Sequence, residues 1–142
     1  CSFTPAPDVS EMVGSAAELI VRHGPKVTAE IQRLRINLTR HVFAVFDAGI
    51  GYVQCMPETS PPALYCEAQS AETWPALKSI ITPEREAWLR NVGYADPGRA
   101  PNYWKSYTLD KFDDSTIANE LLTILFNVYG YKGAEKLKII TD

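Results

Sequence analysis

The residues best suited to chemistry in this chain are three cysteines, Cys1, Cys55 and Cys66, and two histidines, His23 and His41. A cysteine attacks only as a thiolate, activated by a nearby base or cation. It holds zinc only beside further ligands at set spacings, of which CxxC and HExxH are the familiar forms. Neither histidine has a second ligand at such a spacing. His23 stands in "HGP" (23–25), where a cation suits the negative end of a helix, and His41 opens a β-branched, aromatic run. No metal site, catalytic residue or cofactor is expected from these side chains.

Cys55 and Cys66 point to a different chemistry. In "IGYVQCM" (50–56), alternation sends Val53 and Cys55 one way and Tyr52, Gln54 and Met56 the other. In "ALYCEAQ" (63–69), Leu64, Cys66 and Ala68 share a face. If residues 55 and 66 stand opposite each other in a hairpin, both thiols lie on the Val53/Leu64 face with Cβ atoms ~4.5–5.5 Å apart, close to bridging geometry. Prolines 57, 61 and 62 suit the connection, since they supply no ladder donors. In an oxidising compartment the pair is expected to form a disulfide; in a reducing one it would be two buried thiols.

The acidic residues suggest caps more than catalysis. Asp113 and Asp114 form the densest pair, but neighbours at a helix start point in different directions and capping is their expected role. Nothing in the sequence converges on Glu58, Glu67 or Glu72. GxSxG, GxGxxG and Walker patterns are lacking, and "GYKG" (130–133) follows a helix instead of opening one, so it is no phosphate cradle. Asn37-Leu38-Thr39 fits the glycosylation triplet, a weak pattern.

The elements that must carry these residues read as follows. Asp8 with Glu11 opens a helix whose stripe is Val9, Met12, Val13, Ala16, Leu19 and Ile20, until "HGP" stops it. A second helix from about Lys26 carries Val27, Ile31, Leu34 and Leu38, although Leu34, Ile36 and Leu38 also permit a strand. "HVFAVFDAG" (41–49) is a strand ending in a turn, and with 50–56 and 63–69 it makes a three-stranded meander. Thr82 caps a helix with Pro83 in its first turn and Gly93 at its stop. "NYWKSYTL" (102–109) reads as a short strand or extended segment. The helix from Asp113 buries Ile117, Leu121, Ile124, Leu125 and Val128 and ends near Gly130. "KLKIIT" (136–141) is a last strand or an ordered tail. The expected fold is α+β, an antiparallel meander sheet with helices packed on one face. One domain is expected over residues 9–142, preceded by a tether over residues 1–8.

Composition narrows the function. The chain has 142 residues, 46% hydrophobic and 22% charged, with a net charge of −3. A packed core is within reach, and the basic footprint of a nucleic-acid binder is missing. No apolar run approaches the ~20 residues that span a bilayer. The start "CSFTPAPDVS" has the look of a mature bacterial lipoprotein, whose first cysteine is acylated; the alternative is a trimmed fragment with an incidental cysteine. Lipidated Cys1 and a Cys55–Cys66 bridge agree on one location, the periplasmic side of a bacterial membrane.

The most unusual stretch is "YADPGRAPNYWKSY" (94–107), which gathers Tyr94, Arg99, Tyr103, Trp104 and Tyr107. Tyr, Trp and Arg are enriched at interface hot spots, and the same aromatics can cap a core where a loop crosses it. Alternation sends Tyr103 and Lys105 one way, Trp104 and Ser106 the other. Together with Trp74 and Trp88, these residues are the candidate partner-binding set.

"GYVQCM", "LYCEAQSAETWPAL", "ITPEREAWLRNVGYADPGRAPNYW" and the closing "NVYG" resemble the TY-Chap domain, a group of relatives of type III secretion chaperones and YbjN proteins. The resemblance covers roughly residues 40–130. It implies a chaperone-like α+β sandwich with a peptide-binding surface and no enzymatic activity. Typical members are cytosolic, whereas Cys1 and the Cys55/Cys66 pair point outside the cytoplasm. In size and style the chain is also similar to the small, cofactor-free subunit of membrane-bound quinohaemoprotein alcohol dehydrogenase. That likeness implies a chain that stabilises and tethers a large periplasmic catalytic subunit. The expected function is thus a lipid-anchored accessory subunit, or alternatively a free-standing envelope chaperone, inhibitor or immunity protein.

Overall fold

A computed structural model of the chain describes residues 12–98 and 100–142. The expected cap at Asp8 and Glu11, Val9, the 1–8 tether with Cys1, and Arg99 lie outside the described residues. The elements run α1 (Ala16–Arg35), β1 (Ala44–Asp47), β2 (Tyr52–Thr59), β3 (Pro62–Ala68), a 3-10 turn (Pro75–Ser79), α2 (Pro83–Asn91), β4 (Tyr103–Thr108), α3 (Asp114–Asn127) and β5 (Lys138–Thr141). The five strands form one sheet in the order β4-β3-β2-β1-β5. Every neighbouring pair is antiparallel. The architecture is α+β, as the sequence predicts.

Period-two alternation decides which sheet face is covered. Ala44, Phe46, Val53, Cys55, Leu64, Cys66, Ala68 and Tyr107 are all buried. They meet Leu19, Val27, Ile31 and Leu34 of α1 and Ile117, Leu121, Ile124 and Leu125 of α3 in one core. Each such aliphatic side chain contributes ~1.5–3 kcal/mol when fully buried. α1 and α3 pack on each other and on this side of the sheet; among the described residues no helix covers the opposite face.

The hairpin has the predicted register. Cys55 stands opposite Cys66, and the two form a disulfide with Cα atoms 4.1 Å apart. That narrow spacing marks a non-hydrogen-bonded pair of the ladder. The prolines are placed differently from expectation: Pro57 belongs to β2 and Pro62 to β3, and the turn is only Ser60-Pro61, joined by a cis peptide. Pro57 is tolerated inside a central strand for a reason of register. It lies two residues beyond Cys55, so β3 asks nothing of its N–H, and β1 ends its pairing with β2 at Ala44 opposite Cys55.

"HGP" does not divide two helices. α1 runs unbroken from Ala16 to Arg35 with Pro25 inside it. Pro25 and Val21, whose carbonyl loses its partner to the ring, are both exposed, so water can serve the freed oxygen. Leu19, Gly24, Val27, Ile31 and Leu34 meanwhile form one continuous buried face, and this packing outweighs the local break. The helix also starts later than the sequence suggests, at a cap on Ser15. The Ser15 hydroxyl accepts from Glu18 N at 3.3 Å and Glu18 reaches back to Gly14 N at 2.9 Å. Val13 is buried without being helical, its N–H bonded to Lys132 O at 2.8 Å.

The later elements follow the predicted signals. Thr82 caps α2 by accepting from Arg85 N, and Gly93 ends that region at φ 101°. Asp113 caps α3, accepting from Thr116 N at 2.8 Å. The "KLKIIT" segment forms the edge strand β5 against β1.

Candidate functional site

The solvent-facing side of the sheet is the first place to look for function. An amphipathic strand should be polar on that side. Here one cross-strand row runs Ile140, Val45, Gln54, Glu67, Trp104, and the next contains Met56, Tyr65 and Ser106. Phe43, Val45, Gln54, Met56, Tyr65 and Glu67 line a depression of about 230 Å³. Met56 is 46% exposed and Ile140 is 40% exposed. Tyr65 and Trp104 stack across β3 and β4 with ring centroids 6.1 Å apart and planes 25° apart. The result is a largely apolar shelf, walled on one side by two aromatic rings.

Glu67 stands at the edge of this shelf. Its carboxylate accepts from Gln54 Nε2 at 3.2 Å, Tyr65 Oη at 2.9 Å and Asn102 Nδ2 at 3.0 Å. All three donors are neutral, and among the described residues Glu67 forms no ion pair. Asn102, buried itself, holds the carboxylate and also accepts from Ser70 N at 3.0 Å and Thr73 Oγ1 at 3.1 Å. The Ser70 hydroxyl donates in turn to Pro101 O. The 70–74 and 101–102 segments thereby fix a negative group beside an apolar surface.

The aromatic set read from the sequence does not form one surface. Tyr94, Tyr103 and Tyr107 are core residues. Tyr94 Oη and Tyr107 Oη meet at 2.8 Å, and Tyr107 Oη donates to Glu120 Oε1 at 2.6 Å. Burial pushes all three phenols up, and for Tyr103 a hydrogen bond to Glu86 adds to the effect. Trp104 lies on the opposite, solvent-facing side of β4, as the alternation predicts. Trp88 lines a groove with Val92, Thr116, Asn119, Glu120 and Thr123 between α2 and α3, on the helical side. Trp74 is 39% exposed just ahead of the 3-10 turn. Of the predicted set, Trp104 alone belongs to the shelf; Arg99 lies outside the described residues.

The carboxylates considered for acid–base chemistry are dispersed. Glu58 accepts from Ser106 Oγ at 2.8 Å, and Glu72 is exposed. Asp114 pairs with Arg35 at 2.6 Å. Hydrogen bonds from Thr116 and then Ser115 hold the Asp113 carboxyl below its ordinary range. Among the described residues no group of three or more His, Cys, Asp or Glu side chains comes together as a metal site.

The chain matches no protein-family model, no curated protein and no solved structure.

Sequence reasoning set Met56 on the face opposite Cys55 but did not single out Met56, Phe43, Val45, Tyr65 or Ile140 as site residues. The signal was present in the alternation. Once Val53 and Cys55 are assigned to the core, Met56 and Val45 fall on the other face, where apolar side chains need a reason.

Proposed function

We propose that this chain is a non-catalytic accessory protein of an oxidising compartment, docked on a larger protein through the open face of its sheet. The occupant of the shelf is an apolar segment of the partner that carries a basic side chain. The observation that supports this reading is the combination of an apolar shelf with Glu67, a carboxylate held by neutral donors. A lysine or arginine arriving with apolar neighbours would supply the charge that Glu67 lacks. The aromatic wall of Tyr65 and Trp104 has the residue types that dominate interface energetics. The buried disulfide agrees with an oxidising location. A tether through acylated Cys1 on the periplasmic side of a bacterial membrane belongs to the same proposal. So does the catalytic subunit of a quinohaemoprotein alcohol dehydrogenase as the first partner to test.

The test compares co-purification of the unaltered chain from gently solubilised membranes with that of Met56→Lys and Ile140→Lys. Val21→Lys, on the exposed side of α1, serves as the control. Mass spectrometry identifies the partner and the modification of Cys1. A stoichiometric partner retained by Val21→Lys and lost from both shelf variants, all three folded by circular dichroism, supports the proposal. Retention by the shelf variants overturns the docking face. Absence of any constant partner, with a monomer that captures extended peptides, favours the free-standing chaperone instead.

A further inference from the structure

A second cavity lies at the sheet edge, where α1 meets β5. It measures about 510 Å³ and is lined by His23, Lys26, Lys136, Leu137, Lys138 and Ile139. This chain carries a net charge of −3, yet three of the six lining residues are lysines and none is acidic. Among the described residues, Lys26, Lys136 and Lys138 take part in no salt bridge. Three acids lie near by, and of these Asp47 stands opposite Lys138 across the β1–β5 ladder. Glu30 pairs with Arg33, Asp47 accepts from Gly49 N, and the Glu135 carboxylate lies over Gly49.

His23 lines the same cavity. Its Nε2 is buried and has no hydrogen-bond partner among the described residues, which is uncommon for a buried polar atom. Its pKa is lowered, first by burial and then by the charges of Arg22 and Lys26. The floor is apolar: Leu137 is buried and Ile139 is half-buried against the core.

We infer that this cavity binds a phosphate group, with Lys26, Lys136 and Lys138 supplying charge beside the His23 ring. Several ammonium groups around one cavity favour a multiply charged oxyanion over chloride. The group comes as free phosphate or as the headgroup of an anionic phospholipid, and the chemistry of the site is the same for both. The inference does not depend on the docking face, which lies across the sheet from α1.

The test uses the full chain, with the His23 ring protons followed by NMR during titration with inorganic phosphate, and with sodium chloride at matched ionic strength. Phosphate should shift the His23 signals saturably in the millimolar range or below, and chloride should not. Lys26→Gln with Lys136→Gln should weaken the binding by about tenfold or more. These surface substitutions leave the fold intact, which the dispersed core signals verify. Equal shifts with chloride, no saturation, or unchanged affinity in the double variant would overturn the site. Sedimentation with phosphatidylglycerol vesicles, against phosphatidylcholine vesicles, separates the two sources. Vesicle binding that inorganic phosphate competes away assigns the headgroup, and phosphate binding without vesicle binding assigns the free ligand.

Discussion

Lys105 Nζ lies 2.8 Å from Glu120 Oε1, joining β4 to α3 inside the protein. The same ammonium donates to Val92 O at 2.6 Å and sits 4.5 Å from the centre of the Tyr107 ring. Glu120 Oε1 also accepts from Tyr107 Oη. Both side chains are mostly covered, at 13% and 21% exposure. A pair so placed is costly to break from one side, because the remaining charge keeps its desolvation without its partner. Glu120→Leu should therefore destabilise the protein by about 3 kcal/mol in urea denaturation. Lys105→Met combined with Glu120→Leu should be clearly milder than Glu120→Leu alone, since Tyr94 and Tyr107 can still bond each other. Strictly additive losses would show that the pair is not coupled.

The disulfide gives a second prediction. Cys55 and Cys66 are eleven residues apart and both are buried. Closing a loop of that length in the unfolded chain contributes ~2–3 kcal/mol in the entropic account. Cys55→Ala with Cys66→Ala, which adds no buried hydroxyl, should lower stability by about that amount plus a smaller packing loss. Thiol titration of the unaltered, denatured protein should find these two cysteines bridged. Two free thiols and an unchanged melting temperature would remove the bridge and its argument for an oxidising compartment.

The reach of the sequence differs from element to element. Alternation around Cys55 and Cys66 was enough to set the two hairpin faces, and the 55–66 register that was supposed is held because a slip of one residue in β3 would turn Leu64 and Cys66 to solvent. Thr82, Asp113 and Gly93 announced their helix ends through local hydrogen bonding and backbone freedom. Pro25 misled for a reason that is tertiary: nothing local says that its ring faces water while Gly24 and Val27 face α3 and the sheet. The buried tyrosines were ambiguous because Tyr94 and Tyr107 satisfy each other's hydroxyls across the core, a pairing invisible along the chain. The lysine-lined cavity was hidden in the same way. Lys26 and Lys136 are far apart in sequence, and the net negative charge concealed their convergence.

His23 predicts a pH effect. Its pKa is lowered from the ordinary 6.5, chiefly by burial and then by Arg22 and Lys26. Lys136 and Lys138 face the same cavity from the C-terminal segment, and the Tyr131 ring lies 6.5 Å away. The folded state thus holds the imidazole neutral where the unfolded chain would protonate it. This contribution is fully present above the unfolded pKa and is lost as pH falls through it toward the lower folded value. Stability in phosphate-free buffer should decline from pH 7 downward, and His23→Phe should flatten the decline relative to the unaltered protein. An identical pH profile in the variant would assign the decline to other groups.

Gly51 supplies the last prediction. It closes the β1–β2 turn, where Ala48 N donates to Gly51 O at 2.9 Å, and it adopts φ 152°. A Cβ added there would meet the Tyr129 ring, with Cγ and Cε1 only 2.7 Å away. Tyr129 has little room to yield, since it is buried and its hydroxyl donates to Gln69 O at 2.6 Å. Gly51→Ala combines an unfavourable backbone conformation with overpacking, so a loss of about 3 kcal/mol is expected. Gly98, by contrast, has no atom of the described residues beyond its chain neighbours within 4 Å of an added Cβ, and no left-handed backbone. Gly98→Ala should leave stability within about 0.5 kcal/mol of the unaltered value. Thermal denaturation of the two variants separates the explanations: equal small effects would mean that Tyr129 moves aside freely, and that its bond to Gln69 does not anchor the end of α3 to the sheet.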